Sequence, residues 1–188
     1  MIKIGITGSI ASGKTSASKI LSHKRGPLFS ADKTVKSLYL NSYFKKSLIK
    51  KFSIEKKTNL KNYIKKKILK DKNNIKKLEA IIHPIVRKEM KNFSNLNKRK
   101  KFLFYEIPLL IENKLMKYFD IIIFIKAKKI TRLERFKKNG GNEKMFNILN
   151  NNQLSDKKKM KFSHHVVVNE KNLNILKKKL ISIIKFYE

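Results

Sequence analysis

Residues 2–6 are Ile or Gly around a single Lys3, a pattern that suits a central parallel strand covered on both faces. Further apolar runs of the same buried kind follow at Leu28-Phe29-Ser30-Ala31, Phe102 to Glu106, Asp120 to Ile125 and Val166 to Val168. Between them the apolar positions recur at helical spacing. Helices are expected over Lys14–Ser22, ended by Gly26 and Pro27, over Lys33–Leu40, and over Lys129–Lys138. Ile107 to Glu112 reads as a short helix after Pro108 closes the preceding strand. A polar helix from about Glu143 to Lys161 and an amphipathic one over Asn172–Tyr187 complete the pattern. From Ser42 to Asn92 no strand alternation occurs; Tyr43, Phe44, Leu48 and Phe52 mark one apolar helical face in a Lys-rich stretch. Pro84 is expected to separate two helices there, with His83 at their boundary. Strands alternating with helices predict an α/β fold built on a parallel sheet.

The first strand runs into Gly8 to Thr15, G-x-x-x-x-G-K-T, the phosphate-binding loop. Gly8 and Gly13 allow backbone angles that other residues avoid. Successive N–H groups can then face one anion, with the helix N-terminus behind them. Gly8, Ser9, Ile10, Ala11, Ser12, Gly13, Lys14, Thr15 and Ser16 are the expected nucleotide contacts, with Lys14 reaching the β- and γ-phosphates. Thr15 offers a hydroxyl to Mg²⁺, and Glu106, at a strand end beside the loop, is a candidate to hold that ion through water. Asp32 follows the second strand at the carboxyl edge, where open α/β sheets place ligands; capping the next helix would explain it equally well. Arg132 and Arg135 stand three apart on one helix face, placed to neutralise phosphates. Asn139-Gly140-Gly141-Asn142 is a break that suits a lid hinge.

These elements, in order, describe a P-loop NTPase-type three-layer α/β/α kinase. We expect one domain over 1–188, a helical acceptor-binding subdomain inserted at 42–92, and a lid at 136–162. A P-loop ATPase or GTPase would need a water-positioning group, and usually a base-specificity motif such as N-K-x-D, which is not found. A kinase needs an acceptor site, a cover and arginines.

Charge changes this picture little. Lys and Arg number 47 against 13 Asp and Glu, a net +34. The lysines spread from Lys3 to Lys185 among abundant Asn and Ile, which points to compositional bias rather than a nucleic-acid stripe. Such a field also attracts small polyanions. The absence of cysteine excludes disulfides and Cys-based metal sites. Met1 leads straight into the first strand, leaving no room for a signal peptide, and no apolar run approaches membrane-spanning length. A soluble cytoplasmic protein without specific nucleic-acid or membrane partners is expected, as a monomer or weak homo-oligomer.

Several linked motifs resemble the dephospho-CoA kinase family over essentially the whole chain. They are the phosphate loop, Asp32 after the second strand, Leu78-Glu79 with His83-Pro84, Pro108-Leu109-Leu110-Ile111-Glu112, and Arg132-Leu133-Glu134-Arg135. Gln153 followed sixteen residues later by Asn169 is the last of them. The resemblance implies ATP and Mg²⁺ as cofactors and transfer of the γ-phosphoryl group to the ribose 3′-hydroxyl of dephospho-CoA. It implies Asp32, Lys14 and Arg132 as catalytic residues, and Arg135 and Asn169 as further nucleotide contacts. Asp32, Lys61, His83, Pro108 and Leu109 would meet the acceptor. Lys61 stands where the family usually has Arg, and Ser9 and Ala11 stand where glycine is common. Ser163-His164 replaces the family's Ala-Asp, with His165 next; adjacent strand residues face opposite ways, which disfavours a metal pair. The alternatives are a nucleoside or nucleoside-monophosphate kinase, and a basic nucleic-acid-binding P-loop ATPase.

Overall fold

The computed structural model describes residues 1–54, 59–71 and 73–188. Five parallel strands form one sheet in the order β2-β3-β1-β4-β5, with β1 at Ile2–Gly8, β2 at Leu28–Ser30, β3 at Phe102–Glu106, β4 at Ile121–Lys126 and β5 at His165–Val168. The continuous apolar runs are the central strands, β1, β3 and β4, because both of their faces are covered. Ile4, Ile6, Phe104, Ile123 and Ile125 form the core on one face with Ala17 and Leu21 of α1 (Lys14–Ser22) and Leu176, Leu180 and Ile184 of α9 (Leu173–Lys185). On the other, Tyr105 meets Phe119 edge-on with ring centroids 5.2 Å apart.

Two compact units emerge. The first is Met1–Ser30 with Leu96–Glu188, and holds the sheet; the second is Ala31–Asn95. The second comprises α2 (Ala31–Leu38), α3 (Ser42–Phe52), α4 (Leu60–Lys70) and α5 (Asn73–Leu96), around a core of Phe44, Leu48, Phe52, Ile54 and Ile64. The helical face read from Phe44, Leu48 and Phe52 is therefore buried, whereas Tyr43 is exposed. Asn41 and Asn59 cap α3 and α4 through their side-chain oxygens. The stretch 42–92 also includes residues 55–58 and 72, which lie outside the described residues.

Four local expectations change. Pro84 does not separate two helices: α5 continues through it, and His83 sits mid-helix. Proline removes one backbone donor, a loss a helix with a long buried face absorbs. Second, α2 begins at Ala31, so Asp32 is a first-turn acid rather than the cap. Third, the polar helix is two helices, α7 (Glu143–Asn151) and α8 (Asp156–Lys161), the latter capped by Ser155. The segment after Pro108 forms turns, followed by a 3-10 turn at Met116–Tyr118, not a helix.

Gly5 is the position where β1 accepts the Pro108–Glu112 turn. A Cβ there would lie 2.6 Å from Leu110 Cδ1 and 3.1 Å from the Phe119 ring. Gly5→Val is accordingly expected to destabilise the fold by about 1–3 kcal/mol through overpacking. Urea unfolding measures this, and a midpoint within error of wild type would refute the close packing of Leu110 on β1.

Candidate functional site

The loop between β1 and α1 is built for close backbone approach. A Cβ on Gly8 would lie 2.5 Å from Ile125 O and 2.6 Å from Ser12 Oγ; Gly13, at φ +95, would meet Asn169 Nδ2. Ala11 also adopts a left-handed conformation, φ +57. A side chain there costs about 1–2 kcal/mol, which explains why glycine is common at this position.

When loop N–H groups turn toward an anion, the carbonyls must point away and find other donors. Here they do. Lys14 Nζ donates to Ser9 O at 3.0 Å, and Arg132 to Ile10 O at 3.4 Å. Ser12 O accepts from Asn169 Nδ2 at 2.8 Å and from Arg135 at 3.4 Å. Arg135 also donates to Asn169 O at 3.0 Å. From the α7–α8 side, Gln153 Oε1 accepts Ile10 N–H at 3.0 Å, and Ser9 Oγ donates to Asp156.

Arg132, on α6 (Lys129–Lys138), is buried. It donates to Ala127 O at 3.2 Å and to Asn150 Oδ1 at 2.8 Å, and lies 5.7 Å from the centre of the Phe146 ring. Burial lowers its pKa from the usual guanidinium value, and Asp156 opposes that shift. At the other end of the loop, Thr15 Oγ1 donates to Glu106 Oε1 at 2.5 Å, and Ser18 Oγ to Oε2 at 3.3 Å. Glu106 is 2% exposed. This hydroxyl and carboxylate are hard oxygen groups of the kind Mg²⁺ takes, directly or through water.

Two observations fit a phosphate group in the loop. Ser12 Oγ is buried and has no hydrogen-bond partner among the described residues. The N-terminus of α1, at Gly13, carries no side-chain cap, as α6 carries none at Lys128, whereas α7, α8 and α9 are capped by Asn142, Ser155 and Asn172. Its first N–H groups are thus those an anion would satisfy. Ser16 and Thr15 stand exposed on the first turn.

The sheet unit thus brings together Gly8 to Ser16, Glu106, Arg132, Arg135 and Asn169. Pro108 joins them through its carbonyl, which accepts from Thr7 Oγ1 at 3.2 Å; Leu109 is half-buried in the same turn. Asp32, Lys61 and His83 belong to the helical unit. Asp32 lies in the first turn of α2, directly after β2 ends. Lys61 lies 5.0 Å from the Tyr39 ring centre, a cation–π contact. His83 is half-buried, and its pKa is lowered by burial and by Arg87. His164 and His165 have structural partners: Nδ1 of His164 accepts Ile122 N–H at 3.0 Å, and His165 Nε2 lies 2.6 Å from Tyr187 Oη.

Asn150 and Asp156 carry no sequence signal for these contacts. Asn150 reads as one of a polar Asn run, and Asp156 as a first-turn helix acid.

Comparison with known proteins gives the family. A family model described as dephospho-CoA kinase matches residues 2–174. The dephospho-CoA kinase of Bartonella quintana is 33% identical over 187 residues, covering 97% of this chain and 96% of the relative. That of Rickettsia conorii is 31% identical over 195 residues, covering 100% and 98%. Among solved structures, TT1252 from Thermus thermophilus superposes with a TM-score of 0.80 at 25% identity, covering 100% of this chain and 98% of that one. A shikimate kinase from Acinetobacter baumannii, at 13% identity and a TM-score of 0.60 over 100% of this chain and 95% of that one, shares the fold. With a family model spanning most of its length and full-length relatives above 30% identity, the chain belongs to the dephospho-CoA kinase family.

Proposed function

We propose that the protein transfers the γ-phosphoryl group of ATP to the ribose 3′-hydroxyl of dephospho-CoA, giving coenzyme A and ADP, and that it does so in the cytoplasm. The observation that carries the reading is the loop itself. Its carbonyls accept from Lys14, Arg132, Arg135 and Asn169, while the buried Ser12 hydroxyl is left unpartnered among the described residues. Family membership supplies the acceptor. No helix among the described residues is long and apolar enough to cross a membrane.

In the reaction the 3′-oxygen bonds to the γ-phosphorus as the bond to the β–γ bridging oxygen breaks; the hydroxyl proton passes to a carboxylate. Asp32 is assigned that proton on its place in the family pattern. Lys14, Arg132 and Arg135 supply positive charge at the loop, where charge redistributes as the phosphoryl group transfers. Thr15 and Glu106 would hold Mg²⁺, which when bound neutralises phosphate charge. Lys61, His83, Pro108 and Leu109 are the proposed acceptor contacts, and 136–162 the proposed lid. Purified protein given ATP, Mg²⁺ and a panel of dephospho-CoA, adenosine, AMP and shikimate should form ADP with dephospho-CoA alone; turnover confined to another acceptor would refute the assignment.

Lys14→Ala is expected to lower kcat/KM by two to three decades, the roughly 3–4 kcal/mol of one preorganised charge contact. A variant keeping more than about a tenth of wild-type turnover would remove the loop from the chemistry.

Asp32→Asn keeps size and removes charge. Because Asp32 is a first-turn residue, the variant should lose about 0.3–1 kcal/mol of helix-dipole stabilisation. Turnover should nevertheless fall by roughly two decades or more with ATP binding unchanged. Calorimetric ATP titration beside steady-state kinetics separates the two effects, and near-wild-type turnover would sink the assignment of the proton to Asp32.

A further inference from the structure

Glu112 closes the Pro108–Glu112 motif, yet nothing in the reaction above uses it. Its Oε1 accepts Leu154 N–H at 3.1 Å and lies 2.7 Å from Lys159 Nζ. Lys159 is fully buried. The charges meet without hydrogen-bond alignment, and Lys159 Nζ and Glu112 Oε2 find no hydrogen-bond partner among the described residues. A buried pair of this kind contributes little stability over an apolar pair of the same volume, so its use lies elsewhere.

Its position indicates where. Leu154 stands between Gln153, which holds Ile10 N–H, and Asp156, which accepts from Ser9. Between α7 and α8, Asn152 N–H and Gln153 N–H close back onto Ile148 O and Asn150 O, and Ser155 O accepts the first helical bond of α8, from Lys159 N–H; Leu154 N–H, between them, leaves these turns and goes to Glu112. An open cleft of about 690 Å³, lined by Ile111, Glu112, Gln153, Leu154 and Phe162 among others, runs beside the segment. The hydrogen bond to Glu112 is therefore the contact that ties Leu154 N–H, and Lys159 Nζ lies against the same Glu112 oxygen.

We propose that Glu112 and Lys159 are positioning residues for the nucleotide loop. The pair holds Leu154, and with it the Gln153 and Asp156 contacts that set Ser9 and Ile10. The effect of Glu112 on catalysis passes through the loop backbone, with no contact to either substrate. This rests on the reading of the loop as the ATP site.

Two double variants test it: Glu112→Gln with Lys159→Met, and Glu112→Leu with Lys159→Met. Both remove the buried charges and strand neither, so both should fold. Only the first keeps an oxygen to accept Leu154 N–H. The leucine double should show an ATP KM at least about fivefold above that of the glutamine double, because small displacements of a positioning element cost heavily. The KM for dephospho-CoA should be alike in the two. Amide hydrogen exchange over residues 9–13 should be faster in the leucine double, a readout that needs no turnover and so stands even if the wild-type acceptor assay fails. Equal ATP KM and equal exchange in the two doubles would overturn the proposal. So would KM values for both substrates rising together in step with a falling Tm, which is the behaviour of a pair that only supports the fold.

Discussion

A peptide plane cannot present its N–H to an anion without presenting its C=O the other way, and this constraint organises the sheet unit around one short loop. The carbonyls of Ile10 and Ser12, whose planes carry Ala11 N–H and Gly13 N–H, each need a donor, and the donors come from distant parts of the chain: α6 and the residue after β5. The five-stranded parallel sheet brings these parts to one edge. Gly8 pairs with Ile125 in β4, and Lys126 pairs with Val168 in β5, one residue before Asn169. The sheet register thus places Asn169 beside the loop, and Asn169 N–H donates to Lys126 O at 2.8 Å to close the ladder.

The same constraint explains why arginine rather than lysine occupies 132 and 135. Arg135 bridges Ser12 O and Asn169 O, and Arg132 reaches Ala127 O, Ile10 O and Asn150 at once. Such multiple engagement needs a planar group with several donors. An ammonium buried at Arg132's position would also be prone to lose its proton, whereas guanidinium stays charged even when burial lowers its pKa. The guanidinium groups therefore join loop support to a positive field at the loop. The wider field, 47 basic against 13 acidic residues, favours the approach of any polyanion but discriminates among none.

Much of this was legible in the chain because its local signals agree with one another. The run Ile2 to Thr15 states strand, glycine turn and helix in one stretch, and each strand with two covered faces reads as an apolar run. Less legible were features decided by tertiary contact. Pro84 is a helix breaker by local chemistry, but α5 passes through it with Ile75, Val86 and Met90 buried. Ser9 and Ala11 are legible as departures from glycine, but not what each entails: Ala11 holds a left-handed backbone, while Ser9 gains a partner, Asp156, that a glycine would not have. Asn150, Asp156 and Lys159 lie in a stretch of Asn and Lys whose composition hides individual roles.

Lys159 shows the difficulty most clearly, because Lys157, Lys158, Lys159 and Lys161 are indistinguishable by type and only one is fully buried. A helix brings every third or fourth residue to the same face, so the register of α8 selects which lysine turns inward. That register is set at its start, where Ser155 caps the helix and Asp156 meets Ser9. Three residues on, Lys159 faces the interior and Glu112. The contact at the loop and the buried charge pair are thus carried by one short helix, three residues apart on the face that turns inward.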